Sequence, residues 1–372
     1  MKGVFWGAAV LLVYTYAGYA GWLWLRRLWR SRPVRRAPYT PPLSIVMVVR
    51  NEEQVLEMKL KNLLTLDYPE YQVIVVSDGS TDRTEAILHT YENDSRLRLV
   101  LNKVSQGKAS GLNDALQMAQ GEIAVFTDAR QRIAPEAVRL LAENFADPEV
   151  GCVSGELMLG DPSESESSQG LGLYWRVEKL VRDLEAASGS TVGATGAFYS
   201  VRRELLTKLP VGTILDDVYL PMQVVRQGKR TVFDIRARAW DSPNLGGERE
   251  FARKVRTISG NYQLVQLAPW LLSSRNPILF EFVSHKLLRL VAPFALGALL
   301  LASFTLSGPF YRVALIAQLL FYAMSILALS HRLNGGVLAR IASASGAFVL
   351  LNGAAVVAFA NFVVGRRAVW TR

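Results

Sequence analysis

Apolar positions follow two regimes along this chain. In four stretches, 4–25, 290–311, 313–330 and 341–365, they run on without a single charge. Each is long enough, at roughly 20 residues, to cross a hydrocarbon core of about 30 Å as a helix. Between them, residues 37–285 mix charge, turns and short apolar runs in the manner of a water-soluble domain.

Within that middle region the short runs alternate with helical patterns. Leu43–Val49, Val73–Val76, Leu97–Leu101 and Ile123–Phe126 read as buried strands. Asn51–Leu66, a segment capped by Thr81 and running to about Tyr91, Gly107–Ala119 and Pro135–Phe145 read as helices. A β-α series of this kind predicts a mainly parallel sheet covered on both faces. After Gly151–Leu159 the pattern loosens. Residues 160–170 predict a polar surface loop, Leu171–Ala187 a helix, Gly189–Tyr199 a small-residue segment, Arg202–Leu209 a short helix and Val218–Gln227 a further helix. No internal repeat is visible.

Acidic residues mark the chemistry. Asp78 directly follows one apolar run, Asp128 follows another, and the pair Asp216–Asp217 comes later in GTILDDVYL. A carboxylate just past the carboxyl end of a buried strand points into the crevice where open α/β sheets bind ligands. Two such strands and a later acidic pair predict a nucleotide site with a general base beside it.

Charge refines the picture. The 372 residues carry a formal net charge of +10. Six arginines, Arg26, Arg27, Arg30, Arg32, Arg35 and Arg36, follow the first apolar stretch, and only Lys2 precedes it. That order predicts a retained anchor rather than a cleaved signal, with the N-terminus outside and residue 26 onward in the cytoplasm. The arginines are expected to set orientation and meet anionic lipid. No zinc-finger or RNP-like signature accompanies them, so nucleic acid is not an expected partner. The lone Cys152 excludes an internal disulfide, and three histidines, His89, His285 and His331, exclude a histidine-rich metal site.

Six motifs then fall in register: VVRNEE (48–53), SDGSTD (77–82), GKASGLNDAL (107–116), FTDAR (126–130), TGAFYSVRRELL (195–206) and LDD (215–217). In this order and spacing the chain resembles family-2 glycosyltransferases over roughly residues 43–260. Its flanking apolar segments resemble the membrane-bound branch that includes cellulose and hyaluronan synthases. The resemblance implies an α/β, Rossmann-like GT-A domain with N- and C-terminal transmembrane helices. The implied organisation is an anchor at 1–25, a basic linker at 26–42, the cytoplasmic catalytic domain at 43–260, an interfacial or acceptor region at 261–286 and a transmembrane region at 287–372.

It also implies roles. Arg50, Glu52 and Asp78 would meet the nucleotide of a nucleotide-sugar donor, most simply a UDP-sugar. Lys108, at a helix start, would meet a phosphate or the base. Asp128 matches the first acid of an Asp-x-Asp motif whose acids hold the ribose and a divalent cation, Mg²⁺ or Mn²⁺. The second acid is replaced by Arg130, which removes a ligand for a hard cation and suits a diphosphate instead. Asp217 matches the general base of inverting transfer, with Asp216 orienting the acceptor or a neighbour. Thr195, Gly196 and Ala197 resemble the acceptor segment.

Arg253 and Arg256 stand where processive members carry Gln-x-x-Arg-Trp; both would face the donor diphosphate, and the Trp position is Thr257. The lost indole removes a stacking platform for an acceptor sugar, a role Trp270 is near enough in sequence to assume. The implied acceptor is lipid-linked or a glycan, at the inner or plasma membrane. Arg130 and Thr257 motivate a different class, a catalytically weak nucleotide-sugar-binding subunit of an export complex. A transporter is disfavoured, because the tail offers no intramembrane acid or lysine. Four full spans would also place Arg366, Arg367 and Arg372 outside, against the positive-inside tendency.

Overall fold

The computed structural model describes residues 1–160, 173–241, 247–329 and 336–366. The predicted 160–170 loop, Arg367 and Arg372 lie outside the described residues, Gly160 apart. An eight-stranded sheet carries the middle of the chain: β1 (Leu43–Val49), β2 (Tyr71–Asp78), β3 (Leu97–Asn102), β4 (Ile123–Thr127), β5 (Arg132–Ile133), β6 (Val150–Leu159), β7 (Phe198–Arg202) and β8 (Arg230–Asp241). Their spatial order is β3-β2-β1-β4-β7-β6-β8-β5. The half containing β3, β2, β1 and β4 is parallel, with Val46 opposite Ile74 on one side and Phe126 on the other. β7 runs antiparallel between β4 and β6.

Every residue of β1 is buried, as expected for a central parallel strand covered on both faces. Ile45, Met47 and Val49 pack with Leu56, Leu60 and Leu63 of helix α2 (Leu56–Leu64). Val46 and Val48 face Leu112 and Ala115 of helix α4 (Lys108–Met118) on the opposite side. Between them in sequence lies the short helix α3 (Thr84–His89).

Several predicted boundaries move, each for a local reason. α2 begins at Leu56 rather than Asn51, because Asn51 takes a left-handed φ of 53° and its side chain accepts from the Thr81 backbone N–H at 2.8 Å. α3 begins at Thr84 rather than at a Thr81 cap, because Asp82 Oδ1 accepts from the Thr84 N–H at 2.9 Å. The predicted helix Arg202–Leu209 is only a turn at Arg203–Leu205, and the small-residue segment before it ends in strand β7. β8 is an unpredicted strand. Its charges are neutralised in place: buried Asp234 accepts from Asn144 Nδ2 at 2.7 Å and Arg236 Nη2 at 2.8 Å.

The remaining helices are α5 (Ala137–Glu143), α6 (Leu173–Ser188), α7 (Asp216–Arg226) and α8 (Gly247–Leu267). α8 runs through position 260, so the predicted domain boundary falls inside a helix. Among the described residues four helices are long and apolar enough to cross a membrane: α1 (Lys2–Trp29), α9 (Leu279–Thr305), and two further segments, Pro309–Ala328 and Ala342–Val363. α9 begins well ahead of the predicted 290–311 segment, because it extends through the charged turn Glu281–Arg289 where its polar residues find partners. α1 and α9 each contain one π-helical turn, at Tyr14–Gly18 and Val283–Leu287, and these turns meet where Tyr14 Oη and Ser284 Oγ lie 2.9 Å apart.

The linker arginines depart from the expectation that they meet lipid. Arg26 is buried and pairs with Glu281 while its Nε donates to Ser188 Oγ at 3.0 Å. Arg32 pairs with Glu149 at 2.9 Å, Arg35 with Asp147 at 3.3 Å and Arg36 with Asp234 at 3.4 Å. The linker is therefore laid along the sheet domain by acids of that domain.

Candidate active site

The carboxyl ends of β1, β2 and β4 open onto one cleft, and the loops following them are stitched together. The Glu52 N–H donates to Thr84 Oγ1 at 2.9 Å, the Glu53 N–H to Asp82 Oδ2 at 3.2 Å, and the Arg83 N–H returns to Glu53 Oε2 at 3.0 Å. This lattice fixes Arg50 and Glu52 at the end of β1. Asp78 ends β2 wholly buried. Its Oδ2 accepts from Ser105 Oγ at 2.6 Å and the Gly107 N–H at 2.9 Å, and its Oδ1 from the Gln106 N–H at 2.8 Å. Gly79 allows the approach: its φ is 64°, and a Cβ there would fall 2.5 Å from the Ser105 nitrogen. Asp78 thus holds the loop that leads into α4.

At the start of α4, Lys108 Nζ lies 3.0 Å from Asp128 Oδ1 and 3.1 Å from Asp216 Oδ1. Burial alone would lower the lysine's pKa, but Asp128 and Asp216 more than reverse it, so the ammonium stays charged. Asp216 is buried and also accepts from the Tyr199 hydroxyl at 3.1 Å. Tyr199 is itself fixed by stacking on Phe126, with centroids 4.6 Å apart.

Asp217 begins α7 next to this pair. Burial and then the charge of Asp216 push its carboxyl up to about 6, with Lys108, Lys286 and Arg182 opposing the rise. Against it lies Gly196, where a Cβ would sit 2.7 Å from Asp217 Oδ2, so only glycine leaves that oxygen approachable. Thr195 and Ala197 flank it, both buried. Thr195 is held by its N–H to Ser154 Oγ at 2.9 Å and by a donation from Arg182.

Asp128 is partly exposed and Arg130 half-buried. Arg253 and Arg256 ride on α8, which docks to the loop before Asp216: Gln263 Oε1 accepts from the Ile214 N–H at 2.9 Å and Nε2 donates to the Gly212 carbonyl at 2.8 Å. Arg256 lies about two turns ahead of Gln263 on the same side of the helix. Trp270 is not an open platform: the Arg226 guanidinium lies over its ring at 5.1 Å.

Three residues with structural leverage on the site are not singled out individually by the sequence, although Tyr199 lies within the 195–206 motif. Lys59 is buried beneath the β4 loop, donating to Thr127 Oγ1 at 2.8 Å and the Gln131 carbonyl at 2.7 Å, and burial pushes it down to about 7 despite nearby Asp128. It pins the segment that carries Asp128 and Arg130. Tyr199 and Arg182 are the others.

A metal-binding reading meets an obstacle. Among the described residues, no three His, Cys, Asp or Glu side chains converge as a metal site. Asp128 already faces an ammonium, and Arg130 stands two residues on. The protein groups present do not by themselves build a divalent-cation site.

A mixed α/β sheet with acids gathered at the carboxyl ends of its parallel strands, joined to apolar membrane-length helices, is the Rossmann-like GT-A architecture. Residues 44–209 match the family described as glycosyl transferase family 2. The poly-beta-1,6-N-acetyl-D-glucosamine synthase of Staphylococcus epidermidis is 22% identical over 234 residues, 61% of this chain and 56% of that protein. The beta-monoglucosyldiacylglycerol synthase of Nostoc sp. is 29% identical over 192 residues, 50% of this chain and 41% of that protein. The chain thus spans about half the length of the curated relatives it matches. In fold it is similar to a mannosyltransferase from Pyrobaculum calidifontis in complex with GDP-Man and Mn²⁺, with a TM-score of 0.71, 23% identity, and coverage of 94% of this chain and 96% of that one.

Proposed function

We propose that the chain is a membrane-bound inverting glycosyltransferase that moves a sugar from a nucleotide-sugar donor, in the first instance a UDP-sugar, to a lipid-linked or polysaccharide acceptor. One arrangement carries the reading: Asp217 faces Gly196 across a gap that a Cβ would close, and it adjoins Asp216, which pairs with Lys108 at 3.1 Å, while burial and Asp216 push the Asp217 carboxyl up. A base needs that combination of accessibility and proton affinity.

In the reaction, Asp217 takes the proton of the acceptor hydroxyl as its oxygen bonds the anomeric carbon. The bond from that carbon to the donor diphosphate breaks on the opposite face, and the nucleotide leaves with the electron pair. Lys108 and Arg130 offer positive charge to the departing diphosphate, with Arg253 and Arg256 approaching on α8. Arg50 and Glu52 border the nucleotide end of the cleft, while Asp78 acts there by shaping the 105–107 loop. A divalent cation would neutralise diphosphate charge only if the donor diphosphate supplied most of its ligands, with Asp128 as the one nearby protein carboxylate and already paired with Lys108. The test is incubation of purified protein with UDP- and GDP-sugars. Nucleotide release with a β-linked product from an α-linked donor supports the reading, whereas binding without turnover would make the chain a nucleotide-sugar-binding subunit.

Arg130 gives a sharper prediction. Arg130→Ala should weaken donor affinity by about 1.5–3 kcal/mol, the worth of a charge-assisted hydrogen bond. Arg130→Asp should restore two acids and make donor affinity respond more steeply to Mg²⁺ or Mn²⁺. Calorimetric titration of donor against metal in both variants checks this, and unchanged behaviour in both would place Arg130 in solvent.

The expected site is the inner or plasma membrane, with the sheet domain in the cytoplasm. Cys152 is buried, so introduced cysteines report cleanly. A membrane-impermeant thiol reagent applied to intact cells should label Lys2→Cys and spare Asn93→Cys; labelling at 93 would put the domain outside.

A further inference from the structure

The reaction above leaves a buried histidine of a membrane-length helix unused. His285 lies in the π-helical turn of α9 and is 1% exposed. Ionisable side chains within such helices are rare and commonly functional. Each ring nitrogen of His285 faces a carboxylate of α6. Nδ1 lies 2.8 Å from Glu185 Oε1, and Nε2 lies 3.0 Å from Glu178 Oε1. Both acids are buried. Burial would raise their carboxyls, but Arg289 and His285 hold Glu178 well below its ordinary value, and His285 and Tyr19 hold Glu185 below it. An ionised carboxylate only accepts, so both ring nitrogens are assigned as N–H donors.

Both acids reach past the histidine to the segment that borders Asp217. Glu185 Oε2 accepts from the Val192 N–H at 3.2 Å. Glu178 Oε1 lies 3.5 Å from Arg182 Nε, and that arginine donates to Thr195 Oγ1. Between these two anchors the Ala194 N–H donates to the Asp217 carbonyl at 2.7 Å. Gly193, at a φ of 89°, lets the turn lie this close, since a Cβ there would sit 3.2 Å from the same carbonyl oxygen. Gly196 then faces the Asp217 side chain. One imidazole therefore holds both ends of the 192–196 segment against Asp217, through one carboxylate on each arm.

Docking α9 on α6 does not by itself call for this arrangement. Apolar side chains of similar volume would pack the two helices with no charge to desolvate, and replacing a buried ion pair in that way is often neutral or stabilising. Apolar contacts would not aim the Val192 N–H or the Arg182 guanidinium.

We propose that His285 is a positioning residue for the general base: it holds Glu178 and Glu185, and through them the 192–196 segment, in the geometry that leaves Asp217 open to the acceptor hydroxyl. The inference rests on the glycosyltransferase reading and adds that a membrane helix completes the site.

The full chain in nanodiscs tests it with His285→Gln, which stays polar but offers one nitrogen in place of two. Nucleotide release is measured with water as acceptor, from the UDP- or GDP-sugar that wild type turns over fastest. The variant's kcat is expected to fall about 10- to 100-fold, the scale of a misplacement of up to about 1 Å, with donor KM unchanged. Amide hydrogen exchange of residues 192–196 is expected to quicken while that of β1 stays as in wild type. Arg182→Gln cuts one arm beyond the histidine and should show both signatures in smaller measure. It carries the test if His285→Gln does not fold, which UDP binding reports. Unchanged exchange at 192–196 in the folded variants would overturn the proposal, whether or not wild type turns donor over. So would a wild-type kcat in folded His285→Gln, or a loss expressed in donor KM instead, the mark of general loosening. A wild type that binds UDP and releases no nucleotide from any donor would remove the glycosyltransferase reading, and the exchange data would still decide whether His285 holds the segment.

Discussion

Asp217→Asn is expected to lower turnover by roughly two to four orders of magnitude, the usual worth of a general base, while donor affinity stays near wild type. The amide keeps the shape beside Gly196 and loses the ability to take a proton. Because burial and Asp216 raise the wild-type carboxyl to about 6, the base form prevails above that pH and is lost below it. The rate profile should therefore be flat above about pH 6 and fall about tenfold per pH unit beneath it, as kcat/KM tracks the free enzyme. Stopped assays across about pH 4.5–8.5 read both effects. A variant that keeps more than about a tenth of wild-type activity would place the base elsewhere.

Lys108→Met should be nearly as damaging, for a different reason. The ammonium bridges Asp128 and Asp216, and its removal leaves Asp216 buried without its cation. Breaking a buried pair costs roughly 3–5 kcal/mol. The lower part of that range is expected here, because the Asp128 side chain is 42% exposed and solvent screens its share. The sign of the second effect is fixed by Lys108 opposing the rise at Asp217. Without it the carboxyl climbs further, and the acid limb of the profile should move to higher pH. Chemical denaturation together with the pH profile checks the pair of effects; an unmoved limb would mean that Lys108 does not act on Asp217.

Legibility in the sequence tracked how each residue is satisfied. β1, β2 and β4 stand out because central parallel strands bury both faces and carry unbroken apolar runs. β8 hides because Asp234, Arg236 and Arg238 interrupt it, and only the folded chain shows that Asp234 is neutralised by Arg236 and Asn144. Asp128, Asp216 and Asp217 could be singled out by position, and the fold brings them around Lys108. Asp78 was equally visible, but its three hydrogen bonds to residues 105–107 exist only once that loop has closed. Lys59 looks like any solvated helical lysine until the β4 loop covers it. Glu178 and His285, 107 residues apart in the chain, carry no shared pattern that could pair them beforehand.

The buried contact between Arg26 and Glu281 has a consequence for biogenesis. The arginine is made 255 residues before its partner, which at about 5–20 residues per second is a delay of roughly 13–50 s. During that interval the guanidinium at the end of the first span lacks its carboxylate partner, and its Nε can donate only to groups such as Ser188 Oγ, at 3.0 Å in the folded chain. The sheet domain is thus held first by the Arg32, Arg35 and Arg36 ion pairs, and gains the Arg26–Glu281 contact only once α9 is made. Premature release from the ribosome anywhere before residue 281 would leave an exposed, unlatched domain, the kind of product that membrane quality-control proteases remove.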